Sequence, residues 1–296
     1  MVGGGPTAVE LAEGLSARGV RVHYLMRGAR YWAGVLDPAE SRLIEDALEA
    51  DGIMIHRHAK VARAIAIGSA VTAIETTSGE TIPCDLIAVA IGVRPRLGLA
   101  HAIGLAVDRG VLVNQNLETS TRDVFAAGDV AQITDPEIGV ARLDALWSTA
   151  LTSGRAAGRA MAGDTAPYRP APSLNVTRLG RITMTIIGAA RVDSERADDE
   201  DLVAVTRGDS ERWRAPGHAR AFHDRGTRSR VRVLVGERHA VGAVVMGDAV
   251  ASRALCRLVR ERTDLTAIRS TLLADPDHAV ARLVELGAEE RNASRT

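Results

Sequence analysis

The sequence is short of cysteine, nearly devoid of lysine, without net charge and without long apolar runs, and each shortage narrows what the chain can be. Only two cysteines occur in 296 residues. Cys84 and Cys256 stand far apart and in no CxxC pair, which excludes a disulfide framework, leaves no visible redox dithiol and fits a reducing cytoplasm. Both read as small apolar packing residues. Lys60 is the single lysine; the arginine bias carries no functional weight. The 37 basic and 37 acidic residues cancel, so no bulk field draws the chain to nucleic acid or to an anionic membrane. Apolar runs such as Leu86 to Val93 fall far below the ~20 residues of a membrane span. Met1 leads straight into Gly3-Gly4-Gly5 with no basic and apolar leader, so the expected setting is cytoplasmic.

What is present fits a folded protein. Hydrophobic residues make up 46% and charged residues 25% of the chain, ordinary for a globular protein. At roughly 100–200 residues per domain, the length predicts two or three domains.

The start reads as strand remnant, glycine turn, helix and strand. Val9, Leu11, Ala12 and Leu15 recur at helical spacing until Arg18-Gly19, and Val20 to Met26 follows as a strand. Asp37-Pro38-Ala39-Glu40 supplies an N-cap, a proline at the first helical position and an acid at the third, predicting a helix to Ala50. Ile53 to His56 returns as a strand, and residues 61–81 read as an antiparallel meander turning at Gly68-Ser69 and Ser78-Gly79. Cys84 to Ile91 is expected as a buried parallel strand and Val124 to Ala127 as another. A helix is expected from about Ala145 to Gly163, then a linker at Pro167, Pro170 and Pro172. Leu174 to Ile187 and Arg230 to Met246 have strand character around a charged stretch from Ser194 to Thr227, and residues from Ser252 onward read as helical.

Gly3-x-Gly5-x-x-Ala8 opens a helix directly after the strand remnant. Such a turn brings backbone amides to a pyrophosphate at the positive helix end; the alternative is a tight surface turn. About 20 positions onward, where an acid would bind the ribose 2′-hydroxyl of NAD, stand Met26 and Arg27, with Arg30 close behind. Two guanidinium groups can clamp a 2′-phosphate, which points to NADPH, or they form a solvated basic loop. Thr121 to Asp129 ends in Gly128-Asp129, where the glycine permits close approach and the carboxylate can accept hydrogen bonds from polyol or ribose hydroxyls. His218 and His223, five residues apart, and His56 and His58 read as chance pairs and not as metal ligands. Trp147 reads either as a core residue or as one facing a flat cofactor.

Taken together, Gly3 to Glu10, the turn Ile91-Gly92-Val93-Arg94-Pro95, and Thr121 to Asp129 with the Ala- and Gly-rich helix behind it resemble the pyridine nucleotide–disulfide oxidoreductase superfamily of flavoproteins over residues 1–163. The segment from Tyr31 to Glu40, with Val35-Leu36-Asp37, is similar to the nitrite-reductase and rubredoxin-reductase-like branch. The resemblance implies an α/β fold in three parts: an NAD(P)-binding Rossmann-like domain over 1–95, the C-terminal part of an FAD-binding domain over 96–163, and an α+β interface domain over 164–296. It implies that Gly3, Gly5 and Ala8 bind the NAD(P)H pyrophosphate, that Glu10 lies towards the nicotinamide, that Gly92 lines the nucleotide site, and that Gly128 and Asp129 bind FAD. The implied activity is hydride transfer from NAD(P)H to FAD and on to an acceptor, a small molecule or a redox protein.

Two departures from the family pattern shape the expectations. The family's N-terminal FAD-binding half, with its own GxGxxG and its redox cysteines, is not in the sequence. The first strand of the NAD(P) domain is cut to Met1-Val2, which predicts a poorly filled central position with unpaired backbone. The alternatives are therefore a non-catalytic nucleotide-binding or assembly subunit that needs a partner chain or homo-oligomer to complete the FAD site, or an inactive truncation begun at an internal codon.

Overall fold

A computed structural model describes residues 1–134, 141–179, 182–190, 220–224 and 229–293. The first unit alternates helix and strand: α1 (Pro6–Ser16), β1 (His23–Leu25), α2 (Pro38–Ala50) and β2 (Met54–His56). Gly5 caps α1 with Pro6 at its first turn. The expected capping box starts α2: the Glu40 amide donates to Asp37 Oδ1 at 2.7 Å and the Asp37 amide to Glu40 Oε2 at 2.8 Å. β1 and β2 run parallel, with His23 opposite Met54 and Leu25 opposite His56.

The central position of this sheet is better filled than the sequence suggests. Val2 bridges Leu25 on one side and Val89 on the other, both in parallel. The Val2 amide donates to Ala88, Ala90 to Val2, Leu25 to Met1 and Gly3 to Leu25, at 2.8–3.1 Å. Residues 1–3 are thus paired on both sides, Val2 with 88–90 and Met1 and Gly3 with Leu25. The resulting parallel order is 88–90, 1–3, β1, β2.

β3 (Val61–Ile67), β4 (Ala70–Thr76) and β5 (Thr81–Pro83) form the expected antiparallel meander. The expected buried strand from Cys84 to Ile91 shrinks to the parallel pairing of residues 88–90 with Val2 and is not buried. That stretch makes only the bridge at Val89, and Leu86, Val89 and Ile91 are exposed. Among the described residues no layer covers their outer side, so apolar sequence alone does not bury them.

The second unit holds α3 (Gly98–Ala102), β6 (Val111–Val113), β7 (Ala131–Thr134), β8 (Ala141–Leu143) and α4 (Trp147–Met161). β6 lies parallel to β7, and β7 antiparallel to β8. The strand expected over Val124 to Ala127 is a single bridge from Phe125 to Glu118, and Gly128–Val130 is a 3-10 turn. The run is four residues long with no parallel neighbour among the described residues to pair it, so its propensity is not realised.

The C-terminal unit is a five-stranded antiparallel sheet. It is built from β9 (Leu174–Leu179), β10 (Ile182–Gly188), β11 (Arg220–Asp224), β12 (Arg230–Val235) and β13 (Ala240–Met246), in the order β11-β12-β13-β10-β9. α5 (Ala249–Glu261), α6 (Thr266–Ala274) and α7 (Pro276–Ala293) follow. The period-2 alternation of strands divides this sheet between two cores. Ile187, Val233, Ala243 and Val245 pack with Leu255, Leu258 and Leu283 of the helices, and Cys256 borders them. Met184, Ile186, Val244 and Met246 instead join Val9, Ala12, Tyr24, Ile44 and Leu48 of the first unit. Most of the charged stretch from Ser194 to Thr227, His218 included, lies outside the described residues, as does the side chain of His223. No helix among the described residues is long and apolar enough to cross a membrane.

Candidate dinucleotide-binding site

In open α/β sheets ligands bind at the carboxyl ends of the strands, where the order reverses on either side of the first strand. Here that point lies between residues 1–3 and 88–90, and the glycine turn leaves it. Gly3 has φ +153°, and a Cβ there would stand 2.3 Å from the Ala90 carbonyl oxygen and 2.9 Å from Ala8 Cβ. The missing side chain is what lets the strand, its neighbour and α1 meet. Ala8 is fully buried against this contact. Gly5, at the N-cap, brings the chain into α1, whose start carries the positive end of the helix dipole; Pro6 has no amide, and the Ala8 amide donates to the Gly5 carbonyl at 3.1 Å. Gly92 (φ +110°) is exposed on the same edge, just beyond Ala90.

The segment leaving β1 closes the other side. Arg27 is exposed, while the Arg30 guanidinium turns back to the Ala33 carbonyl at 3.4 Å. Trp32 is buried with φ +46°, a conformation that costs a bulky residue about 1–3 kcal/mol and persists only where the surroundings impose it. They do: its amide donates to Gly4 at 3.2 Å, and its carbonyl accepts from Val35 at 2.9 Å and Leu36 at 3.0 Å. The Tyr31 amide donates to Glu45 Oε1 at 2.6 Å, and Ser41 Oγ to the Tyr31 carbonyl at 2.7 Å. Arg57 holds Glu45 in turn, Nε to Oε2 at 3.0 Å.

Two further groups support this segment and were not among the sequence candidates. Arg232 of β12 is 0% exposed, as is Glu40. Its Nε and Nη2 donate to the two Glu40 oxygens at 2.8 Å each, Nη2 also to the Val35 carbonyl at 3.0 Å, and Nη1 to the Ala190 carbonyl. Beside it Arg230 Nη2 pairs with Asp37 Oδ2 at 2.5 Å. Burial alone would raise the Asp37 carboxyl, but the Glu40 amide and Arg230 outweigh it and hold the group below the usual carboxylate range. The signal lay in Arg230-Val-Arg232-Val: arginines two apart in a strand share a face, and in an apolar strand that face needs carboxylates. His23 Nδ1 and His56 Nε2 also meet at 3.0 Å, with His56 Nδ1 3.6 Å from Glu80. Burial and the neighbouring His56 lower the His23 pKa.

The remaining candidates lie on α1 and in the second unit. Glu10 is exposed on α1 and borders a groove with Glu13, Gly14, Ala17, Asp51 and Arg178. Gly128 and Asp129 belong to the second unit. Gly128 has φ +75°, donates its amide to Ser153 Oγ at 3.0 Å and lies against Ala150 of α4. Asp129 is exposed. Trp147, at the start of α4, is 86% exposed and so is not a core residue.

The family model for pyridine nucleotide-disulphide oxidoreductases matches residues 1–154, over half of the chain. A rubredoxin-NAD(+) reductase of Ectopseudomonas oleovorans is 32% identical over 173 residues, 58% of this chain and 45% of that protein. The epsilon subunit of an NADH-dependent phenylglyoxylate dehydrogenase of Aromatoleum evansii is 27% identical over 281 residues, 93% of this chain and 61% of that one. Among solved structures, an FAD-dependent pyridine nucleotide-disulphide oxidoreductase of Desulfovibrio vulgaris superposes with a TM-score of 0.74 at 22% identity, covering 99% of this chain and 70% of that one. The ferredoxin reductase of Rhodopseudomonas palustris gives 0.74 at 23%, covering 89% and 59%. These likenesses give the fold, Rossmann-type α/β, and the chain spans about half the length of the curated relatives it matches. By the match over residues 1–154, the chain belongs to the pyridine nucleotide-disulphide oxidoreductase family.

Proposed function

We propose that this chain binds NAD(P)H at the carboxyl edge of the first sheet and forms part of an FAD-dependent oxidoreductase that passes hydride from NAD(P)H to FAD and electrons on to an acceptor. The observation that carries the reading is the Gly3 contact: a close approach of strand, neighbouring strand and helix start that leaves no room for a Cβ, at the strand-order switch and ahead of a helix N-terminus. In this reading Gly3, Gly5 and Ala8 set the pyrophosphate turn, Gly92 walls the crevice, and Glu10 lies on the nicotinamide side. Arg27, with Arg30 behind it, faces the adenosine ribose and favours NADPH. The domains are 1–95, 96–163 and 164–296.

The residues of the second unit fit one wall of a flavin nucleotide. The left-handed Gly128 leaves room beside α4, the exposed Asp129 offers an acceptor to ribityl or ribose hydroxyls, and Trp147 offers a flat apolar face. When bound, FAD supplies the ring that takes hydride from the nicotinamide. The chain's own task is orientation and exclusion of water, and no side chain need act as acid or base. Relatives named as rubredoxin and ferredoxin reductases support a small redox protein as acceptor. The two free cysteines and the balanced charge suit a cytoplasmic enzyme.

One observation favours a second reading, in which another polypeptide segment completes the flavin site. Leu86, Val89, Ile91 and Val93 are each more than half exposed in one strip beside the switch point, the kind of apolar patch that marks an interface. Calorimetric titration with NADPH and NADH, alone and with FAD added, tests both readings. Binding of either dinucleotide, lost for NADPH but kept for NADH in Arg27→Glu, supports the first. No dinucleotide binding to the folded chain overturns it. FAD retained by the isolated chain argues against the second.

A further inference from the structure

The glycine turn is held from the far end of the sequence by an unbroken series of contacts. Arg232 Nη2 donates to the Val35 carbonyl, the Val35 amide to the Trp32 carbonyl, and the Trp32 amide to the Gly4 carbonyl. Each link is a hydrogen bond of 2.9–3.2 Å. The middle link is a tryptophan in a left-handed conformation, which holds only where neighbours enforce it. The anchor is a guanidinium with no solvent exposure, its Nε and Nη2 donating to the two Glu40 oxygens and its Nη1 to the Ala190 carbonyl. Arg230 and Asp37 brace the same helix start beside it.

A planar, five-donor guanidinium suits this position, since it engages a carboxylate and backbone carbonyls at once. Tyr31 is fixed separately by Glu45 and Ser41 of α2, and α2 is itself started by Glu40. The residues between β1 and α2 therefore rest on the C-terminal sheet through the Arg232–Glu40 and Arg230–Asp37 pairs and the apolar contact around them, and Arg232 alone among these side chains also holds the Val35 carbonyl.

We propose that Arg232 is a positioning residue for dinucleotide binding: through Val35 and Trp32 it sets the shape of residues 26–36 and of the Gly3–Gly5 turn, so that a side chain of the C-terminal unit controls affinity at that turn. This rests on the reading that NAD(P)H binds at that turn. Linkage makes any such coupling reciprocal: a ligand of the C-terminal unit that changes dinucleotide affinity has its own affinity changed by the dinucleotide by the same factor.

The test uses the full chain with Arg232→Met, Glu40→Gln and, as a control of matched destabilisation, Leu255→Ala in the core of the C-terminal helices. Two readouts are taken: amide exchange of residues 26–36 without nucleotide, and the Kd for NADPH and NADH. Arg232→Met is expected to speed exchange across 26–36 and weaken both dinucleotides about tenfold, within the ~5–150-fold range of couplings between sites. Leu255→Ala is expected to leave both readouts within about twofold, as distant sites behave independently. Folded Arg232→Met with unchanged exchange and Kd overturns the proposal, as does an equal change in Leu255→Ala. Should Arg232→Met not fold, Glu40→Gln, which keeps the shape and weakens the anchor, decides in the same two ways. If wild-type chain binds neither dinucleotide, the functional reading fails, while the exchange readout still decides whether Arg232 positions the loop.

Discussion

Two neighbouring glycines should lose very different amounts of stability on the same substitution. At Gly3 an alanine must adopt φ near +153° and put its Cβ 2.3 Å from the Ala90 carbonyl oxygen. The backbone conformation costs about 1–3 kcal/mol, and overpacking against rigid backbone another ~1–3 kcal/mol, so Gly3→Ala should lose roughly 2–6 kcal/mol. That is a large part of the ~5–15 kcal/mol by which domains are stable. Relief requires the 88–90 stretch to move by almost 1 Å, breaking the Ala90–Val2 and Val2–Ala88 hydrogen bonds, both 2.8 Å, and opening the crevice. Gly4 has nothing within 4 Å of where its Cβ would stand, so Gly4→Ala should change stability by no more than about 1 kcal/mol. It should still weaken NAD(P)H, because the new methyl occupies the turn. Urea unfolding followed by near-UV circular dichroism, with amide exchange read at residues 1–3 and 88–90, measures the difference. A Gly3→Ala chain within ~1 kcal/mol of wild type, with unchanged exchange at Val2 and Ala90, would refute the reasoning.

Three other outcomes follow from single sites. Asp248 caps α5 by accepting from the Val250 and Ala251 amides at 2.8 Å; Asp248→Ala should cost about 0.5–2 kcal/mol in urea unfolding, and no loss would mean the cap is not used in solution. His23 has a folded pKa below its ordinary 6.5, from burial first and then from His56. The fold favours its neutral form, so the associated stability is complete above about pH 6.5 and declines as pH falls through that value. His23→Gln should flatten the change in urea midpoint between pH 7.5 and 5.5, and equal slopes would remove the pair from the account. Gly242 lies so close to Ala189 that a Cβ would overlap its carbonyl oxygen; Gly242→Ala should abolish soluble folding or unfold well below wild type, and a native thermal midpoint would contradict the close approach.

The parts of this molecule legible in the sequence are those fixed by local chemistry. The capping residues Asp37 and Glu40, the glycines that turn the meander, and the glycine turn into α1 all appear where spacing and residue type put them. The errors lie where the outcome depends on a neighbour. Residues 84–91 are apolar enough for a central strand, yet a strand is made by what pairs and covers it, and here Val89 meets only Val2. Val124 to Ala127 fails for the same reason. The opposite error occurred at Met1-Val2: a remnant too short to look like a strand is paired on both sides because its neighbours supply the partners.

The ion pairs between α2 and β12 were illegible for a different reason, separation of more than 190 residues between partners. Their physical role follows from what they replace. Charges with no solvent exposure are expensive, and an apolar pair of similar volume usually serves stability as well or better. Stability alone therefore does not account for Arg232 and Glu40 at the centre of a contact that Met184, Ile186, Val244 and Met246 already make apolar. What an apolar pair would lack is direction. Glu40 closes the capping box on the Asp37 amide with the same carboxylate that receives Arg232, and Arg232 holds the Val35 carbonyl two residues before that cap. Helix start, loop shape and the seating of the C-terminal sheet are thereby set by one pair of side chains, so none of the three shifts without the others. A dinucleotide site at the carboxyl edge needs such registration more than it needs further stability.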